Sequence, residues 1–134
     1  MNLLLDTHSW IWLMSGDQHK FSRQTRNAID RACAGHRCWL SVISLWEVST
    51  LHARGRIRLS YNSGQLLQAA RATPGIQLAP LSAEAAWDAG CLPMHGDPAD
   101  RLIVATAREL KATLVTSDSL ILNLPALCRT LEAN

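Results

Sequence analysis

Short apolar runs alternate with longer stretches of helical periodicity along this chain, and no Asn-Gly or Asp-Gly pair lies between them. That pattern constrains the fold more than any other feature. Without tight hairpin turns, successive strands are joined by helical crossovers, which makes them parallel and covers both faces of the sheet. The apolar runs are residues 2–5 (Asn-Leu-Leu-Leu), Cys38-Trp39-Leu40, Ile76-Gln77-Leu78, "TLVTSD" at 113–118 and a last run over 127–131. Between them the spacing predicts one helix capped by Thr7, with Trp10, Ile11, Leu13 and Met14 on its apolar face, and a second over 22–34 stopped by Gly35. Further helices are expected from Val42 towards Gly55, over 63–73 before Pro74-Gly75, from Ser82 to Gly90, and from Pro98 to Lys111. "GRIRL" at 55–59 alternates with a period of two and reads as extended. The expectation is an α/β fold: a three-layer α/β/α sandwich around a central, mostly parallel sheet of four to five strands. The chain's 134 residues suit a single domain over 1–134.

Where such sheets bind ligands is beyond the carboxyl ends of their strands, and there the sequence places acids. Asp6 ends the first run and Asp118 ends "TLVTSD"; Glu47 lies within the helix after the second run, and Asp100 falls in the first turn of the helix that opens at Pro98. Capping offers an alternative for each. Asp6 and Asp118 precede helical segments, and Ser44 with Glu47 matches a capping box, although a cap at Ser41 would put Glu47 beyond the first turn. In "HGDPADR" (95–101), Asp97 before Pro98 is the expected N-cap, and Asp100 then sits where a negative charge suits the helix dipole. Capping accounts for the acids one at a time. It does not account for their gathering at one edge without lysine neighbours, where they repel one another until a hard cation relieves the charge. Mg²⁺ takes oxygen ligands and keeps several waters, so a few carboxylates are enough to hold it.

Three stretches, "LLLDTHSWIWLM", "SVISLWEVSTLHARGRIRL" and "HGDPADRLIVATARELKATLVTSD", resemble the PIN-domain ribonucleases, in particular the VapC-like toxins of bacterial toxin–antitoxin pairs. The resemblance runs from residue 2 to about residue 131 and is specific in the order of its motifs. It implies that Asp6, Glu47, Asp100 and Asp118 are the family's four acids, binding Mg²⁺ or Mn²⁺ as the catalytic centre of an endoribonuclease. It also implies an RNA substrate, a cognate antitoxin and a homodimer. Similar sequences often carry Arg or Lys in place of Gly96 and Phe in place of Ala99; neither departure touches an acid.

Asp97 is therefore expected to cap and Asp100 to hold the metal, with Asp6 and Asp100 as primary ligands. Glu47 would act directly or through water, and Asp118 would complete the pocket or position a second ion. Arg101 is expected at the rim or in solvent, as a possible phosphate contact. Arg56 and Arg58, with Arg54, either track an RNA backbone or form a solvated face. His8 either orients a ligand or sits partly buried. Ser9 and Thr116 serve metal-bound water or hydrogen bonding at the sheet ends. The tryptophans read as core, with Trp10 and Trp46 as candidates for a dimer or antitoxin surface. No histidine is spaced as an obvious general base, so water activation falls to the metal.

Bulk properties narrow the alternatives. A net charge of +2 excludes a polycationic nucleic-acid binder, although 11 of the 13 basic residues are arginine, which forks onto phosphate. Cys33, Cys38, Cys91 and Cys128 form no C-x-x-C pair and read as small buried hydrophobes in a reducing compartment. No apolar run approaches a membrane span, the start carries no basic leader, and a cytoplasmic location is expected. A haloacid-dehalogenase-like phosphatase needs a second Asp two residues after the first, where this chain has His8. No P-loop or G-x-S-x-G is present. The non-enzymatic alternative is a PIN-like RNA- or protein-binding module with a structural acid cluster.

Overall fold

A computed structural model describes residues 1–134, the side chain of Ser63 excepted. The elements follow in the order β1 (Leu3–Leu5), α1 (Thr7–Met14), α2 (Arg23–Ala34), β2 (Cys38–Ser41), α3 (Val42–Ala53), α4 (Ser63–Ala72), β3 (Ile76–Ala79), α5 (Ala83–Cys91), α6 (Pro98–Leu110), β4 (Thr113–Thr116), α7 (Ser119–Leu122) and β5 (Thr130–Glu132). The five strands pair in the order β3-β2-β1-β4-β5, and every pairing is parallel. At the centre, Leu5 lies between Leu40 of β2 and Val115 of β4.

Three consecutive leucines form β1 because both faces of that strand are covered. Leu3 and Leu5 join a core with Trp10, Phe21, Ile29 and Leu66, whereas Leu4 joins a separate core with Ala89, Ile103, Val104 and Ile121. All three leucines are completely buried. Each such burial contributes roughly 1.5–3 kcal/mol, so the continuous apolar run and the two-sided helical cover belong together. The result is the three-layer α/β/α arrangement.

The strand order locates the site. Crossovers from β1 to β2 to β3 run outward to one side, and β4 returns to the other flank of β1. The direction of winding therefore reverses between β1 and β4, and a crevice opens beyond their carboxyl ends. Asp6 immediately follows β1, and Asp118 follows β4 by two residues. Helix α3 packs against both α1 and α6, bringing the second half of the chain to the same edge.

Several local expectations need correction. The cap of α1 is Asp6, whose side chain accepts from the Ser9 N–H; Thr7 is the first helical residue, and its buried hydroxyl donates to Ser44 Oγ at 3.0 Å. "GRIRL" forms no strand: Ile57 and Leu59 do turn inward against the core and the arginines outward, but no neighbouring strand pairs with them. The period of two there reports burial without a ladder. Only Cys38 of the four free cysteines is buried, and Cys91 is exposed. Trp46 and Trp87 are 58% and 81% exposed, so the tryptophans are not uniformly core. Among the described residues, no helix is long and apolar enough to cross a membrane.

Candidate metal centre

Beyond the ends of β1 and β4 lies a cleft of about 300 Å³ lined by Asp6, Thr7, His8, Glu47, Asp97, Asp100, Ser117 and Asp118. Five carboxylates share it, and no lysine or arginine is among its lining residues. The fold collects these acids from α3, the start of α6 and the turns after β1 and β4.

Three of the acids cap helices with one oxygen each. Asp6 Oδ1 accepts from the Ser9 N–H at 2.8 Å, Asp118 Oδ1 from Leu120 at 2.9 Å, and Asp97 Oδ1 from Asp100 at 3.3 Å. Capping and ion binding are thus compatible at Asp6 and Asp118, because a cap orients the carboxylate while using one of its two oxygens. Glu47 is no cap: α3 begins after Ser41, whose hydroxyl accepts from the Ile43 N–H, and Glu47 lies in the second turn. Asp100 is no cap either; it is the acid that Asp97 caps.

Asp100 carries the electrostatic strain. Its carboxyl is pushed up to about 7, first by burial and then by the charges of Asp97, Asp118, Glu47 and Asp6. A carboxylate surrounded by four like charges is unfavourable to folding unless it takes up a proton or a cation enters the cleft.

The tightest set of possible ligand atoms includes a residue that sequence reasoning passed over. Atoms of His95, Asp100 and Asp118 lie within 4.8 Å of one another, and Asp6 and Glu47 line the cleft outside that trio. His95 Nε2 is buried without a hydrogen-bond partner and stands 3.4 Å from Asp100 Oδ2. Its signal was its place at the head of "HGDPADR", five residues before Asp100, a spacing that suggests nothing on a helix because residues 92–97 are not helical.

The remaining candidates divide. Arg101 is not at the rim, because its guanidinium is turned away and fully used. Nε donates to the carbonyl of Ala89, one terminal nitrogen to Met94 and His95, and the other to Gly90 and Leu92. Arg54, Arg56 and Arg58 are exposed and do not line the cleft. Ser9 donates to the Val115 carbonyl and Thr116 Oγ1 accepts from the Asp118 N–H, so both hydroxyls serve the sheet ends. His8 lines the cleft and is exposed rather than partly buried. A second, apolar groove between α3 and α4 is lined by Trp10, Leu45, Trp46, Val48, Leu66 and Leu67.

Comparison with known proteins places the fold and the family. The family model of the PIN domain matches residues 3–126. No curated protein matches the chain. Among solved structures, VapBC2 from Rickettsia felis, bound to a DNA fragment from its promoter, is similar with a TM-score of 0.73 at 17% identity, covering 100% of both chains. A toxin–antitoxin complex from Klebsiella pneumoniae gives a TM-score of 0.64 at 17% identity, covering 98% of this chain and 97% of that one. FitAcB from Neisseria gonorrhoeae gives 0.61 at 18%, covering 97% and 96%. At such identities the likeness is one of fold.

Proposed function

This chain belongs to the PIN-domain family, and on that premise we propose that it is a divalent-metal-dependent endoribonuclease, the toxin of a toxin–antitoxin pair. The observation that carries the reading is Asp100, a half-buried carboxyl raised to about 7 among four further acids with no cation in the lining. The donor set fits Mg²⁺ or Mn²⁺, which favour carboxylate oxygens.

Asp100 and Asp118 would hold the ion, with Asp6 as a further direct ligand and Glu47 binding directly or through water. When bound, such an ion supplies positive charge that acidifies water and offsets the charge growing on a phosphodiester. The chain's own part is orientation. Caps at the starts of α1 and α7 fix the carboxylates of Asp6 and Asp118, and the Asp97 cap fixes the turn that presents Asp100. Hydrolysis then joins the oxygen of water to phosphorus and breaks one phosphorus–oxygen ester bond, and the departing oxygen takes up a proton. Exposed Arg56 and Arg58 are proposed to track the RNA backbone away from the cleft. Arg101 is withdrawn from that role, since all five of its N–H donors are taken.

The solved structures similar in fold include a toxin–antitoxin complex, which supports an antitoxin partner here. Trp46, 58% exposed over the apolar groove of α3 and α4, offers that partner a face. A homodimer, a single domain over 1–134 and a cytoplasmic location complete the proposal.

The test is RNA cleavage by purified protein with Mg²⁺ or Mn²⁺ and with EDTA. Fragments that appear only with metal support the reading. RNA binding without cleavage under any metal condition would favour a non-catalytic binding module.

A further inference from the structure

Arg101 and Asp100 are adjacent on α6, yet they point to different places, and a loop joins those places. The loop leaves α5 and runs through residues 92–97 to the start of α6. It has no strand partner, and its turn bonds include the Met94 N–H to Leu92 carbonyl contact at 2.9 Å. What holds it is the Arg101 guanidinium, whose five donors meet the carbonyls of Ala89, Gly90, Leu92, Met94 and His95 at 2.8–3.2 Å. The end of a helix leaves carbonyls without partners, and a planar fork of five N–H groups satisfies several at once. The last residue so gripped, His95, folds its ring back over Asp100.

The ring's orientation decides what it offers. Nδ1 accepts from the Asp97 N–H at 3.3 Å, so the proton of the neutral ring resides on Nε2. That nitrogen is buried, has no hydrogen-bond partner, and has Asp100 Oδ2 beside it at 3.4 Å. Ligation through Nε2 would require the proton on Nδ1, where it would oppose the Asp97 N–H, donor against donor. We propose that Arg101 and His95 are positioning residues for Asp100: Arg101 clamps the 92–97 loop, and the loop presents His95 Nε2–H to Oδ2, fixing which carboxylate oxygen faces the ion. The inference rests on the ion-binding reading of the cleft and adds two residues to it, neither of them a ligand.

Groups that hydrogen-bond a ligand typically change metal affinity about 10–100-fold when removed, and that sets the expected effect. Asparagine at 95 can replace Nδ1 as acceptor but cannot reach Asp100, whereas glutamine places an amide N–H where Nε2 was. Mn²⁺ titration calorimetry on the full chain should show weaker binding by about 10–100-fold for His95→Asn and Arg101→Lys, with His95→Gln recovering most of the loss. Circular dichroism checks that Arg101→Lys folds; if it does not, the two His95 variants still decide the question. Nitrogen NMR of the ring, with and without Mg²⁺, should find the proton on Nε2 in both. Wild-type affinity in His95→Asn, or a proton moved to Nδ1 on adding Mg²⁺, would overturn this inference and leave the proposed function standing. Failure of the wild type to bind Mn²⁺ would overturn both.

Discussion

Asp97 and Asp100 lie three residues apart in different surroundings, and the different tasks proposed for them follow from which oxygen is already occupied. Asp97 spends Oδ1 on the Asp100 N–H, while Asp100 is half-buried among charges with no helix end to satisfy. Replacing Asp100 by Asn keeps shape and removes charge, so cleavage should fall below about a tenth of wild type with an unchanged far-UV spectrum, given the several kcal/mol that metal-site chemistry contributes. Activity well above that level would remove Asp100 from the ion's ligands. This division could be read in "HGDPADR", because a Pro after an acid announces a cap and an acid three further on falls at a defined point of the first turn. The roles of His95 and Arg101 could not be read there. A guanidinium reaches far enough to meet either solvent or a neighbouring loop, and only the course of residues 89–95 decides which.

Helix α6 begins with a cap that can be separated from its charge. Asn caps as well as Asp does, whereas Ala removes the acceptor, so Asp97→Ala should be less stable than Asp97→Asn by roughly 0.5–2 kcal/mol in denaturant melts. Both should retain cleavage; loss of activity in Asp97→Asn at full stability would make Asp97 a ligand. The segment after α3 supplies a different test. Changing Arg56 and Arg58 together to Ala should weaken RNA binding and flatten its dependence on salt, because fewer counterions are released. An unchanged slope would return these arginines to a plain solvated face. The strands and helices were readable as elements because burial on two faces writes continuous apolar runs, as in Leu3–Leu5, and burial on one face writes a stripe, as in Thr25, Ala28, Ile29 and Ala32 of α2. "GRIRL" shows where that logic ends: alternation records which residues turn inward, and pairing depends on a neighbour that the segment does not have.

Across the whole molecule, the proposed ion-binding role of the cleft is set against folding. The Asp100 carboxyl rises from an ordinary value of 3.8 to about 7 in the folded chain, so between those pH values the folded state holds more protons than the unfolded state. Its contribution to metal-free stability should therefore grow as pH falls from about 7 towards about 4 and change no further below that. In Asp100→Asn this component of the pH dependence should be missing. The parallel character of the sheet is indicated by the sequence, but the strand order that places β4 beside β1 is not, and in the fold α5 and α6 share one core with Leu4 and Leu114 on those two strands. Thermal melts of wild type and Asp100→Asn at pH 8, each in EDTA and in millimolar Mn²⁺, test the ion-binding role of the cluster most directly. The two should cross. In EDTA the variant should melt higher, by at least about 3 °C if relief of the buried charge is worth 1 kcal/mol, and Mn²⁺ should raise the wild type well above its EDTA value while moving the variant little. Coincident melts in EDTA together with no Mn²⁺ shift in the wild type would contradict the account and leave Asp6, Asp97 and Asp118 as helix caps that share no ion.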